Sequence, residues 1–402
     1  MSAGAATAGR TARVMGLIGA GHGLSHFYTL VLPPLFPLLK GHFGVSYAAL
    51  GLVISLLNLA TAIAQVPAGV LVDRYGAKRL LILGMAASSL GVIGAALADN
   101  YWLLIAAMLV TGLGNAVFHP ADYAIMNSAI RPDWMGRAFG IHTFTGNIGF
   151  AAAPPVILAL ATVADWRTAL LIVGLAGIVV MALLMWQGEH LASEADMAPA
   201  SAAAATEVPG GTLALYLSAP VILCLGFYVM LAMVTSGVQS FSVTALDAQG
   251  ALDLGAANVA LSTYLVSAMI GVLAGGWIAD RSRNHTLFAV TGIALAAVLL
   301  LAAGLVPMPA VLVIAAMAVS GFFNGVIRPA RDLIVRAAIP KSAIGRVFGL
   351  VSTGGWIGMA ATPVMFGYAL DVGRPDLVFW LSGAFMAAAI VTVITVSRRR
   401  AA

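Results

Sequence analysis

Apolar runs about twenty residues long recur from one end of this chain to the other, and no other feature constrains its folding so strongly. A helix of that length crosses the hydrocarbon of a bilayer, roughly 30 Å thick. Inside lipid every backbone polar group must be satisfied within the chain, so only helices or closed barrels can span. The runs are long and continuous rather than short and alternating, which selects helices. Composition agrees: 61% of the 402 residues are hydrophobic and 9% are charged, where soluble chains carry about 25% charged residues. Cys224 is the one cysteine, which excludes an intrachain disulfide framework and any cysteine-based metal cluster. The first run begins near Val14, behind Arg10 and Arg13, and contains His22, His26 and Pro33. It lacks a small-residue cleavage pattern and reads as a retained first helix.

Polar breaks divide the chain into twelve expected spans, at about 14–39, 48–72, 79–98, 102–128, 136–161, 167–187, 212–245, 257–279, 286–306, 310–335, 344–370 and 377–397. The seventh is too long for one straight crossing and is expected to include a surface segment. Alternate loops differ sharply in charge. Fifteen of the twenty basic residues fall on one side, whereas Lys40, Arg167 and Arg374 fall on the other. The positive-inside rule then places both termini in the cytoplasm, and the basic balance is a topology signal rather than one for nucleic acid. Residues 187–211, rich in small and acidic residues, read as a cytoplasmic linker between a six-helix half at 1–186 and another at 212–402. The expected fold class is all-α integral membrane.

The halves share a sequence. GLGNAVFHPADYAIMN, from Gly112, aligns without a gap on GFFNGVIRPARDLIVR, from Gly321, at a shift of 209 residues. Asn115 meets Asn324, Pro120 meets Pro329, Gly149 meets Gly358 and Pro154 meets Pro363. A shift of 207 brings Gly69, Asp73 and Arg74 over Gly276, Asp280 and Arg281. Two homologous six-helix halves imply a pseudo-two-fold transporter working by alternating access.

Ionisable residues inside a membrane span cost several kcal/mol unless paired or hydrated, so each is a candidate for function. They are His22 and His26, His119 and Asp122, His142, and Arg328, Arg331 and Asp332. His119 and Asp122 align with Arg328 and Arg331, so protonation of Asp122 could release an arginine for an anionic substrate. A structural ion pair at the cytoplasmic end is the competing reading. Pro120 and Pro329 each remove a helical hydrogen bond and are expected to kink their helices. His22 and His26, four apart, share a helix face and suit proton relay or substrate contact. The same pair could ligate a divalent metal, with His119 or Asp122 completing the set, but no metal cage is evident and none is expected. Asn115 and Asn324 either line a cavity or cross-link helices. Phe27, Tyr28, Tyr123, Phe144 and Trp356 are candidates to shape a pocket.

GVLVDRYGAKRLLI at 69–82 resembles the loop between helices two and three of the major facilitator superfamily. Gly69, Asp73, Arg74, Gly76, Lys78 and Arg79 match its glycines, aspartate and basic residues; Asp280, Arg281 and Arg283 form a weaker second copy. The resemblance covers essentially the whole chain and implies a gating role for these residues. Independently of it, Asp73 at a helix end can accept hydrogen bonds from a neighbouring terminus or an arginine. Gly69 permits close helix approach, and Gly76 a tight turn. SHFYTLVLPPLFPLLKGHFGVS at 25–46 and VFHPADYA at 117–124 resemble the fosmidomycin-resistance-like group, which implies export of a small anionic or drug-like molecule against protons. Gly140, Gly149 and Pro154 partly fit the helix-five pattern of drug/proton antiporters, although Ala153 stands where that pattern has glycine. LLIAAMLVTGLG at 103–114 has no arginine of the kind those antiporters carry.

The leading expectation is therefore a proton-coupled secondary transporter of a small organic solute, with export favoured, acting as a monomer in the inner membrane. Its partners are the solute, protons and the lipid bilayer; no cofactor and no nucleic acid are expected. Proton-symport uptake of an organic acid is the alternative, with Arg328 and Arg331 as carboxylate clamps. A membrane-embedded enzyme or sensor is the remote one, because no Walker A loop, G-x-S-x-G elbow or H-E-x-x-H helix occurs.

Overall fold

A computed structural model describes residues 3–131, 134–191, 216–281, 284–338 and 344–401. Among these, regular structure is entirely helical. In chain order the helices are α1 (Ala3–Thr29), the short α2 (Phe36–Phe43), α3 (Tyr47–Tyr75), α4 (Ala77–Ala96), α5 (Tyr101–Asn115), α6 (Phe118–Ala129), α7 (Met135–Val163) and α8 (Trp166–Trp186). There follow α9 (Ala219–Ala248), α10 (Leu254–Arg281), α11 (His285–Leu305), α12 (Ala310–Ala338), α13 (Ile344–Asp371) and α14 (Leu377–Ala401). Among the described residues, ten segments are long and apolar enough to cross a membrane, with α5 and α6 counted as one span, Tyr101–Ala129. The other two expected spans, α1 and α13, are helical but diluted by polar and small residues, His22 and His26 in α1 and Thr353, Gly354 and Gly355 in α13.

Two expected spans are discontinuous. The first ends at Thr29, passes through a 3₁₀ turn at Pro33–Leu35, and resumes as α2, because successive prolines at 33 and 34 cannot continue an α-helical hydrogen-bond ladder. The fourth breaks between Asn115 and Phe118, where the amides of Ala116 and Val117 turn back to Gly112 and Gly114. Pro120 thus lies in the first turn of α6, where a missing N–H leaves no carbonyl unpaired. The aligned Pro329 sits inside an uninterrupted α12. The shared proline therefore does not impose a common break. Most of the expected linker, residues 192–211, lies outside the described residues, as do Arg283 and the Asp280 side chain. The seventh expected span, 212–245, is realised as Ala219–Ala248.

The chain divides into two compact units, Met1–Val45 with Leu56–Ala202, and Ser46–Ser55 with Ala203–Ala402. In the first, α4 packs on α5 and α8, and α1 packs on α7. Hydroxyls inside it bond to carbonyls of neighbouring helices, as polar groups in lipid must: Tyr28 donates to Val173 O at 2.9 Å and Thr61 to Gly112 O at 2.9 Å. In the second, α10 packs on α12, α11 on α12 and α14, and α9 on α13 and α14. There Ser320 donates to Ala296 O at 2.8 Å, and Asp371, ending α13, accepts the amides of Tyr47 and Ala48 at 2.8 Å each. Side-chain caps start other helices. Asp165 accepts the Thr168 amide at 2.9 Å, and that amide together with the Thr168 hydroxyl holds its carboxyl below the usual range. The outward faces are apolar, with Val66 76% and Val163 88% exposed, a surface suited to acyl chains rather than water.

Candidate functional site

The ionisable residues of α1, α6 and α7 converge inside the first unit. His22 and His26 lie on one face of α1, one turn apart; His119 and Asp122 share a face of α6; His142 comes from α7. The Asp122 carboxylate is fully buried, with Oδ2 3.0 Å from His142 Nε2 and 3.5 Å from His22 Nδ1. The rings of His22 and His142 stack with centroids 3.7 Å apart, and both side chains are 2% exposed. His26 meets His22 edge-on at 4.4 Å, His119 meets His22 at 5.1 Å, and Phe150 closes over His26 at 4.3 Å. Several buried polar atoms here lack a hydrogen-bond partner: Nδ1 of His22, His26 and His119, and Oδ1 of Asp122. One unsatisfied buried polar atom costs about 1–3 kcal/mol, so four in a single cluster make it a candidate site.

Glycines on α1 and α7 make the convergence possible. A Cβ on Gly149 would stand 1.9 Å from the carbonyl oxygen of Gly23, so only hydrogen fits between the two backbones. A Cβ on Gly146 would lie 2.8 Å from His22 Nε2. The absent side chains leave the space that the imidazoles of α1 occupy beside α7. Sequence reasoning placed Gly149 in an antiport pattern and passed over Gly146, whose spacing of three from Gly149 was the available signal.

Arg328, Arg331 and Asp332 lie on α12 in the second unit. Arg331 Nε donates to Asp332 Oδ1 at 2.9 Å, and its guanidinium stacks 4.0 Å over the Tyr228 ring. Tyr228 donates its hydroxyl to the same carboxylate oxygen at 2.5 Å. The Arg328 side chain makes no hydrogen bond or close ion pair among the described residues, although Asp332 and Tyr264 lie within electrostatic reach. Asp122 is thus held by histidines of its own unit, and the carboxylate beside Arg331 is Asp332. Within each unit the closest partner is local: His142 of the neighbouring α7 for Asp122, and the next residue, Asp332, for Arg331. Tyr228, 104 residues from Asp332, carried no signal in the sequence. Asn115 ends α5, and its side chain makes no hydrogen bond among the described residues. Tyr123 approaches His142, with ring centroids 5.3 Å apart, whereas Tyr28 is a buried packing residue.

The loop between α3 and α4 turns at Gly76, whose φ of 89° favours glycine. Asp73, Arg74 and Arg79 are exposed, and Asp73 makes no hydrogen bond or ion pair among the described residues. Lys78 lies along Gly188, and Arg281 stacks 4.0 Å over Trp277. A Cβ on Gly69 would meet only Pro120, at 3.9 Å, so close helix approach does not require glycine there. A cavity of about 890 Å³ lies among α1, α7 and α8, lined by apolar residues such as Leu24, Phe27, Ile148 and Val180; none of the cluster side chains reaches it.

The model of the Major Facilitator Superfamily matches residues 17–257 and 225–402, nearly the whole chain. The chain belongs to this superfamily. It is accordingly a multi-pass membrane transporter and not an enzyme. This superfamily member is 31% identical over 186 residues to the uncharacterized MFS-type transporter YfnC of Bacillus subtilis (strain 168), covering 45% of this chain and 44% of that one, so the match spans less than half of that relative. Alignments to two others run nearly full length. The Fosmidomycin resistance protein of Escherichia coli (strain K12) is 24% identical, over 87% of this chain and 85% of that one. The Hexuronate transporter of Bacillus subtilis (strain 168) is 25% identical, over 89% and 88%. Among solved structures, a bacterial homolog of the human lysosomal transporter Spinster superposes with a TM-score of 0.77 at 15% identity, covering 96% of this chain and 97% of that one, which establishes the shared fold.

Proposed function

We propose that this chain is a proton-coupled exporter of small organic anions in the inner membrane, with both termini cytoplasmic. One observation carries the reading: Asp122, fully buried, sits between two buried imidazoles with its Oδ1 unpartnered. A carboxylate and an imidazole sharing a hydrogen bond can pass one proton between them without changing the net charge of the pair. A proton arriving from outside raises the cluster's charge by one, which its surroundings must answer. That is the response a coupled transporter needs. Arg328, in the second unit, makes no close side-chain ion pair among the described residues and is the group offered to an anion. The kinship to a fosmidomycin resistance protein supports export. A second reading, proton-symport uptake of an organic acid, is favoured by kinship of the same extent to a hexuronate transporter.

Proteoliposomes with an imposed pH gradient test the proposal, with fosmidomycin and glucuronate as probes. The expected result is gradient-driven movement of at least one probe, with its direction relative to the protons separating antiport from symport. In Asp122→Asn the gradient-driven component should disappear while exchange at equal pH persists. Movement of neither probe by the wild type, or full gradient-driven transport by Asp122→Asn, defeats the reading.

A further inference from the structure

We infer that the histidine cluster of the first unit is a binding site for a divalent transition-metal ion, with His22, His119 and His142 as ligands and Asp122 beside them. The ligand atoms of the three imidazoles lie within 4.8 Å of one another. Tetrahedral zinc or cobalt binds imidazole nitrogen at about 2.0–2.1 Å, which sets the ligand nitrogens roughly 3.4 Å apart. The three helices that carry the rings, α1, α6 and α7, are already in contact with one another. The helices supply the ligands from independent directions, since α1, α6 and α7 contribute one imidazole each. Three imidazoles from three elements, leaving a further coordination position, form the ligand count of an open zinc-type site.

Two further observations point to a cation rather than to ordinary packing. Nδ1 of His22 and of His119 is buried without a hydrogen-bond partner, as is Oδ1 of Asp122. These polar atoms belong to one cluster and have no hydrogen-bond partner among the described residues, so each keeps capacity to ligate. The second is the Asp122–His142 bond at 3.0 Å. A carboxylate on one ring nitrogen fixes the tautomer and presents the other nitrogen as a lone pair, the arrangement in which histidines usually ligate metals. The donor set also selects the ion. Neutral imidazoles with one carboxylate and no thiolate suit zinc, cobalt or nickel, while magnesium and calcium prefer all-oxygen cages. The one carboxylate halves the charge of a divalent ion that would otherwise be buried uncompensated. His26, one turn from His22, stands next to the set as a spare donor.

Binding does not depend on the proton-coupling proposal, but its consequence for transport rests on that reading: a divalent cation on the three imidazoles beside Asp122 disfavours protonation of the cluster and blocks gradient-driven flux. The test therefore reads binding directly. Full-length protein in detergent micelles, stripped of metal by a chelator, is titrated with cobalt(II) and followed by its visible absorption. One cobalt per chain is expected, displaced by zinc and untouched by magnesium. His119→Gln and His142→Gln should each weaken binding at least about tenfold while keeping the wild-type circular dichroism. His42→Gln, whose imidazole pairs with Arg167 away from the cluster, should leave it unchanged. Cobalt-edge X-ray absorption on the wild type reads the ligands without any variant and should find three imidazoles. Absence of saturable cobalt binding, fewer than two imidazoles in the absorption spectrum, or undiminished affinity in both folded variants overturns the site. Each of those results leaves the Asp122→Asn transport experiment standing, so the two proposals fail separately.

Discussion

A guanidinium inside a membrane span costs several kcal/mol unless another group shares its charge. Arg331 has Asp332 at 2.9 Å and the Tyr228 ring beneath it, whereas Arg328 has no ion pair at that range among the described residues and feels Asp332 and Tyr264 only from further off. The two are therefore expected to behave differently. In a thermal-shift titration with glucuronate, Arg328→Gln should lose ligand-induced stabilisation, with affinity falling about tenfold, or ~1.4 kcal/mol. Arg328→Lys should recover part of it, since a point charge still attracts a carboxylate. Equal stabilisation of wild type and Arg328→Gln would remove Arg328 from the substrate site. The ionisable residues themselves were legible in the sequence, because lipid makes each of them expensive and so conspicuous. Their partners were not. Nothing in a linear sequence joins Tyr228 to Asp332, or Asp122 to His142; those pairings follow from which helices abut and at what rotation.

At the scale of elements, the α1–α7 contact is set by backbone against backbone at Gly23 and Gly149. A methyl group at Gly149 would overlap a carbonyl oxygen that has no rotamer by which to yield. Gly149→Ala is expected to destabilise the protein by about 1–3 kcal/mol, the usual cost of overpacking. The measurement is the melting temperature in detergent, and a melt identical to the wild type would show that the helices can part freely. The broken fourth span has a related lesson. Both copies of the duplicated element carry proline, but only the first breaks, since Pro120 lies one turn into a new helix while Pro329 is carried within α12. The prolines were visible in the sequence. Whether the chain restarts its helix around one or absorbs it depends on packing from neighbouring helices, which local patterns do not encode.

For the whole molecule, the sequence read best where the bilayer leaves least choice. Span length follows from hydrocarbon thickness, so helices stand at all twelve expected positions, while ends and interruptions shifted with local prolines and caps. Charge asymmetry makes a prediction on the same scale. Green fluorescent protein fused after Ala402 should fluoresce, and alkaline phosphatase at the same place should be inactive, because the basic loops favour a cytoplasmic C-terminus. Active phosphatase there would reverse the assigned orientation. The close seam between α1 and α7 has one more consequence. Two helices locked at a pair of glycines have a single permitted register, and α1 carries His22 and His26 within one turn of that lock. Sliding α1 by a single residue would turn both imidazoles by about 100° around its axis and scatter the cluster at once. The glycines therefore act as a ruler: they store the rotational setting of the histidines in residues that carry no functional group.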